Sequence, residues 1–198
     1  MWYIYIAMFA ARCLYYVAWK LTDTAISISG ISYDETTKKF DKIVSVDIWN
    51  IEFGDSAKTM IDSWNHMTAV WLKHYVYERC PKKFGPTFVT FMVSAFWHGF
   101  YPNYYWFFFN AFLITECSWI VFKNRHLFSF MPPKVRAILA NFVSLQSISL
   151  HGIGFALLTL DKVHTYFSSM YYFHTIGMII IFALGKAIPT KSEKWKPE

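Results

Sequence analysis

Cysteine is scarce in this chain and never paired. Cys13, Cys80 and Cys117 stand singly, no CxxC occurs, and two of the three lie in apolar runs. That argues against a zinc site or a disulfide framework. The first residues carry no charged n-region and no small-residue cleavage site, so they do not read as a secretory signal peptide. Internal repeats and low-complexity segments are also missing. Charge is thin, at 16% of the 198 residues. Only Arg12 and Glu116 fall well inside the long apolar stretches, too few for an ion pathway.

What the chain has instead is hydrophobic and aromatic surface. Apolar residues make up 55% and aromatics 21%, above the roughly 45–50% apolar content, glycine included, of soluble domains. A helix that crosses a bilayer needs about 20 mostly apolar residues. The predicted spans are 2–19, 86–101, 104–122, 136–160 and 166–185. The break between the second and third falls at Tyr101–Pro102–Asn103, because proline cannot continue a helix without losing a hydrogen bond. The predicted fold class is therefore all-α: a polytopic transmembrane protein of about five spans.

The positive charges agree with that count. Nine Lys and Arg lie between Lys20 and Gly85, four between Lys123 and Arg136, and four in the tail from Lys186. The Tyr101–Asn103 hairpin has none and Asp161 to Thr165 has one. Alternation places the rich segments together, and the positive-inside rule makes that side cytosolic. The net charge of +6 then reflects topology and not nucleic acid binding. The tail 186–198 is expected in the cytosol. Its Lys194 and Lys196 are the fifth and third residues counted back from the last, which resembles the K-x-K-x-x pattern of retrieval to the endoplasmic reticulum. A solvated basic tail is the alternative.

Between the first two spans, 55–80 reads as one amphipathic or membrane-embedded helix. Met60, Trp64, Met67, Trp71 and Tyr75 recur near a helical period, with Lys58, Asp62 and Asn65 on a neighbouring polar face. Asp55 or Ser56 is positioned to cap it.

Polar side chains within a span are costly and tend to be functional. His98, in SAFWHGFYPNYY (Ser94 to Tyr105), rises roughly 18 Å from Pro86 if the helix is continuous, past the middle of a hydrocarbon core about 30 Å thick. A neutral imidazole suits general-base work near neutral pH. Gly99 leaves room for close approach, and Phe96, Trp97, Phe100, Tyr101, Tyr104 and Tyr105 are candidates to wall a pocket for an acyl chain. A lone histidine in an apolar helix is also a common hydrogen-bonded packing residue, and the residue types alone do not decide. His151 and His174 read as packing residues, His66 and His74 as surface or interface, and Asn65 alone as part of an aromatic helix.

Two stretches taken together go further. DSWNHMTAVWLKHYVYER (Asp62 to Arg79) and FVTFMVSAFWHGFYPNYYWFF (Phe88 to Phe108) resemble the membrane-bound O-acyltransferase (MBOAT) family, and most of all its lysophospholipid acyltransferase branch. The matching residues are Trp64, Asn65, Thr68, Trp71, Leu72, Tyr75, Tyr77 and Arg79, then Ser94, Ala95, Trp97, His98, Gly99, Pro102, Tyr104 and Tyr105. The family pattern has Gly where this chain has Asn103. Family members are more than twice as long, so the chain resembles a C-terminal portion.

The resemblance implies transfer of an acyl group from acyl-CoA, as co-substrate, to the hydroxyl of a lysophospholipid. It implies no other cofactor, no metal and no nucleic acid. His98 would be the catalytic base and Asn65 the second active-site residue. Trp64, Trp97 and Tyr104 are candidate substrate contacts. Lys58, Lys73, Arg79, Lys82 and Lys83 are candidates for the CoA phosphates, with contact to anionic lipid as the alternative reading for each. Other acceptors (a sterol, diacylglycerol or a protein) and a truncated, non-catalytic membrane protein are the competing functions.

Overall fold

The computed structural model describes residues 2–187. It is all-helical apart from a single bridge between Asp34 and Lys39. The helices are α1 (Trp2–Ile28), α2 (Ile48–Phe53), α3 (Ala57–Ser63), α4 (His66–Leu72), α5 (Pro86–His98), α6 (Pro102–Lys123), α7 (Pro133–Ala156), α8 (Leu160–Ser169) and α9 (Phe173–Ala187). Proline opens α5, α6 and α7, where its missing N–H is no loss and its fixed φ already suits a helix.

Among the described residues, three helices are long and apolar enough to cross a membrane: Tyr3–Ile28, Pro102–Lys123 and Pro133–Ala156. The α8–α9 pair makes a fourth if it is one broken span, bent by 79°. The chain is thus a multi-pass membrane protein, with three or four such spans where five were expected. The difference lies in the second and last spans. The span expected at 86–101 is a helix of 13 residues, about 20 Å long against a core of about 30 Å. The one expected at 166–185 is interrupted at Tyr171 and Tyr172, both left-handed (φ 50° and 49°). The expected loop at Asp161–Thr165 lies within α8.

The first helix exceeds its predicted end at residue 19. It runs to Ile28 because its polar end has partners. Lys20 donates to the Val46 carbonyl (3.0 Å), and Asp23 accepts from the Ser45 N–H (3.0 Å). The loop before α2 is thereby fastened to α1.

The centre of the bundle is α6, which packs on α3, α5, α7 and α9. Ala57, Leu113, Ile114, Cys117 and Met178 form its buried core. Gly185 lets α9 lie close against Ile120 of α6. A second cluster, Tyr16, Val46 and Ile51 with Trp19 and Trp64, joins α1 to the segment before α4.

Buried charge links α1, α2 and α7. Arg12, 4% exposed, donates to both carboxylate oxygens of Glu52 at 2.8 and 3.0 Å. The Tyr16 hydroxyl donates to the same carboxylate at 2.6 Å, and Arg12 reaches Ser149 Oγ at 3.3 Å. Asn141 Nδ2 donates to the carbonyls of Glu52 and Gly54. The basic residue in the middle of α1 is therefore neutralised inside the protein, as a charge in a membrane requires.

Candidate active site

His98 is the last residue of α5. The helix stops there because Gly99 takes φ 130°, ψ −173°, a backbone state open to glycine and strained for other residues. Tyr101 is extended, and Pro102 starts α6 back along α5. The hairpin lays the imidazole on rings of two other helices. Phe108 stacks on it at 5.2 Å and Tyr104 lies at 5.8 Å, both from α6. Phe155 of α7 meets it edge-on at 5.1 Å. Neither ring nitrogen has a hydrogen-bond partner among the described residues, and the side away from these rings is exposed. The packing reading of a lone histidine calls for a hydrogen bond, and His98 makes none. His151 does behave that way. It is fully buried, with Nδ1 on the Ser147 carbonyl (3.0 Å) and Nε2 on the Thr175 hydroxyl (3.2 Å). His174 Nε2 likewise pairs with Ser147 Oγ at 2.9 Å.

The expected aromatic wall is only partly the real one. Tyr104 and Trp97 touch His98. Phe96 and Phe100 pair with each other and are exposed, and Tyr101 is exposed too. Helix neighbours project about 100° apart, so residues adjacent in sequence do not share a face. Phe108, one turn after Tyr104, and Phe155, 57 residues after His98, complete the wall. No local pattern pointed to Phe155.

Asn65 sits at a break. The single helix expected over 55–80 is divided into α3 and α4 by Trp64 (φ −87°, ψ 122°) and Asn65 (φ 48°, ψ 53°). Ser56 caps α3 by accepting from the Thr59 N–H, and the Lys58–Asp62 pair closes one turn later at 2.5 Å. The break is held from both sides. The Asp47 N–H donates to the Ser63 carbonyl (3.2 Å), and the His66 N–H donates to the Ser45 carbonyl (2.8 Å). The Trp64 ring packs edge-on against Trp19 at 4.7 Å, with Tyr15 and Tyr16 beside it. Asn is one of the few residues that enters the left-handed region without large strain. The half-buried Asn65 amide has no hydrogen-bond partner among the described residues.

The break also divides the apolar stripe. Met60 is buried and Trp64 half-buried, while Met67, Trp71 and Tyr75 are exposed. Helix α4 then widens into one turn of π-helix at Lys73–Tyr77, which packs on α5. The helices that carry Asn65 and His98 therefore meet, although no hydrogen bond or ring contact joins the two side chains among the described residues.

The remaining candidates scatter. Trp97 is 68% exposed. Arg79 lies over the Tyr75 ring at 5.0 Å and Lys83 over Phe84 at 4.9 Å. Together with Lys82 they occupy the connection from the π-turn to α5. His74 pairs with Glu78 at 2.9 Å on the surface, as expected for an exposed histidine. Glu52 was missed altogether. The available signal was Arg12, since a charged residue in a span needs a partner, but nothing local marks which acid supplies it.

Comparison with known proteins identifies the family. Residues 1–160 match the model of the membrane-bound O-acyltransferase family. Human membrane-bound glycerophospholipid O-acyltransferase 2 is 35% identical over 92% of the chain and 36% of its own length. Mouse membrane-bound glycerophospholipid O-acyltransferase 1 is 32% identical over 93% of the chain and 39% of its own length. Lysophospholipid acyltransferase 2 of Arabidopsis thaliana is 32% identical over 96% and 44%. The chain thus spans well under half the length of these relatives.

Proposed function

This chain belongs to the membrane-bound O-acyltransferase family, and we propose that it carries the reacting centre of a lysophospholipid acyltransferase. In this reading a fatty acyl group passes from acyl-CoA to the free hydroxyl of a lysophospholipid. The observation that carries it is the pair of unpartnered groups, the Asn65 amide and the His98 imidazole. Each is held at a helix break that the sequence builds for it, within the two motifs that suggested the family. The names of the relatives above support a glycerophospholipid acceptor over a sterol, diacylglycerol or protein.

The chemistry follows from the groups present. A lipid hydroxyl is a weak nucleophile. An unpaired nitrogen of His98 accepts its proton as the oxygen attacks the thioester carbonyl. The C–O bond forms, the C–S bond breaks, and CoA leaves as thiolate, which takes up the proton. The tetrahedral oxyanion needs a donor, and an uncharged amide such as Asn65 supplies one without burying a charge. The rings of Phe108, Phe155 and Tyr104 exclude water from one side of the imidazole. No acyl-enzyme is needed, so direct transfer between two bound substrates is the simplest sequence, with orientation providing much of the rate.

Basic groups at Lys58, Lys73, Arg79, Lys82 and Lys83 would receive the CoA phosphates. That places them on the cytosolic face, with the chain in the endoplasmic reticulum membrane and its C-terminal end in the cytosol. The tail residues Lys194 and Lys196, which suggested retrieval, lie outside the described residues.

The test is acyl transfer from labelled acyl-CoA to a panel of lysophospholipids, with the chain in membranes, alone and co-expressed with the remaining length of a relative. His98→Ala is expected to lower the rate by about 10²- to 10⁴-fold, the usual contribution of a general base. Transfer that persists in His98→Ala would end this assignment. A His98-dependent rate seen only with the added length would keep the site and show that this portion needs the rest of the fold.

A further inference from the structure

A cavity of about 640 Å³ lies against α6, lined by Phe88 and Met92 of α5, Asn103, Trp106 and Phe109 of α6, and Val163 of α8, among others. Its size is that of a small-molecule site. His98 does not line it. Asn103, Trp106 and Phe109, spaced by three, share one face of α6. Tyr104 and Phe108, spaced by four, carry His98 on another.

The cavity wall is mostly apolar, but Asn103 is anomalous. It is 0% exposed, and neither its amide oxygen nor its nitrogen has a hydrogen-bond partner among the described residues. The Trp106 Nε1–H is buried and unpartnered as well. Buried polar groups in native proteins are almost always paired. Asn110, two turns along the same helix and equally buried, shows the usual outcome. Its Nδ2 donates to the Trp106 carbonyl (2.8 Å) and its Oδ1 accepts from Thr175 (3.1 Å).

We propose that this cavity binds a neutral, hydroxyl-bearing lipid, with Asn103 and Trp106 holding the hydroxyl. The groups count out to that class. One Asn103 Nδ2–H and the Trp106 Nε1–H serve as two donors and Asn103 Oδ1 as one acceptor, with the second Nδ2 hydrogen left over. A hydroxyl accepts two hydrogen bonds and donates one. The lining residues include no Asp, Glu, Lys or Arg, and His164, Tyr105 and Tyr172 are the titratable ones among them, so a phosphate, carboxylate or ammonium head group would have no permanent counter-charge there. The apolar walls take the hydrocarbon body. This site is independent of the acyl-transfer assignment and lies across α6 from it.

The test uses the full chain in lipid nanodiscs and a long-chain fatty alcohol with a diazirine in its chain, beside the methyl ether of the same alcohol. The ether keeps the acceptor and loses the donor. Photolabelling by the alcohol is expected at Phe88, Met92 or Val163, and about ten-fold more weakly by the ether, as for loss of one neutral hydrogen bond that leaves a buried acceptor unpaired. Asn103→Leu is expected to fall by a similar factor while melting no lower than the parent, since it also removes two unpaired buried groups. Trp106→Phe should weaken labelling several-fold. His98→Ala should leave it unchanged. Equal labelling by alcohol and ether would overturn the proposal, because water or bilayer chains would then satisfy the cavity. Loss of labelling in His98→Ala would overturn it too, by placing the probe at the acyl-transfer centre. If Asn103→Leu fails to fold, the alcohol–ether comparison in the parent chain decides.

Discussion

Removing Glu52 alone should destabilise the bundle far more than removing its whole polar cluster. The side chains of Arg12 and Glu52 are 5% and 10% exposed, with the nearest contact at 2.8 Å. At an effective dielectric constant of about 20, opposite unit charges at that separation attract by roughly 6 kcal/mol. Desolvation of two ions costs several kcal/mol each, so the pair is close to neutral as a unit. Glu52→Ala cancels the attraction and leaves the Arg12 guanidinium buried. The expected loss is about 3–5 kcal/mol, a shift of two to more than three decades in the unfolding equilibrium. The Tyr16 hydroxyl also loses its acceptor, so the matched control is the triple change Arg12→Met, Tyr16→Phe, Glu52→Met. With no charge stranded and only the Ser149 hydroxyl losing a partner, that variant should return to within about 1–2 kcal/mol of the parent. The assay is a denaturant titration in mixed micelles, followed by tryptophan fluorescence. If Glu52→Ala costs under about 1 kcal/mol, or the triple variant costs as much as the single, the ion pair does not hold α1, α2 and α7 as described.

At Asn65 (φ 48°), alanine should cost about 1–2 kcal/mol in the left-handed backbone and glycine little. Asn65→Gly should therefore fold like the parent yet lose acyl transfer with Asn65→Ala, and an active Asn65→Gly would show that the amide is dispensable. A Cβ at Gly185 would lie 2.5 Å from both Cδ1 and Cγ2 of Ile120. Gly185→Ala should thus lose about 1–3 kcal/mol by overpacking, and adding Ile120→Ala should recover part of that loss, giving a coupling above about 0.5 kcal/mol in thermal melts. The Glu78 carboxyl is held below its usual range, first by the hydrogen bond from His74. Its folded pKa is depressed, so whatever stability the pair adds is present above the unfolded carboxylate pKa and lost as pH falls through the folded one. Titration of a ¹³C-labelled Glu78 carboxyl should show the low value, and His74→Ala should raise it.

What the sequence made legible was whatever depends on local composition. The long apolar runs that became α1, α6 and α7 and the cap at Asp55 or Ser56 followed from neighbours a few residues away, although α6 and α7 start at Pro102 and Pro133 and not at 104 and 136. What stayed hidden depends on pairs far apart in the chain: Arg12 with Glu52, His98 with Phe155, and the loop at 45–47 that holds Asn65. The helix break at Asn65 was hidden for a different reason. The apolar period from Met60 to Tyr75 continues across it, so the pattern favours one helix, and only the hydrogen bonds from Asp47 and to Ser45 favour two. The same conflict recurs at Gly99, where hydrophobicity runs on to Tyr101 but the backbone cannot. Local rules therefore fail at Asn65 and at His98, each a polar side chain with no hydrogen-bond partner among the described residues. A residue inside a regular helix is surrounded by its own turns. At a left-handed break or a helix end, a side chain escapes that shielding, and its polar atoms stay available to something other than the protein. Sequences tend to override local preference where a functional site needs it. The two overrides here coincide with the two motifs, which argues that both breaks exist to present these side chains.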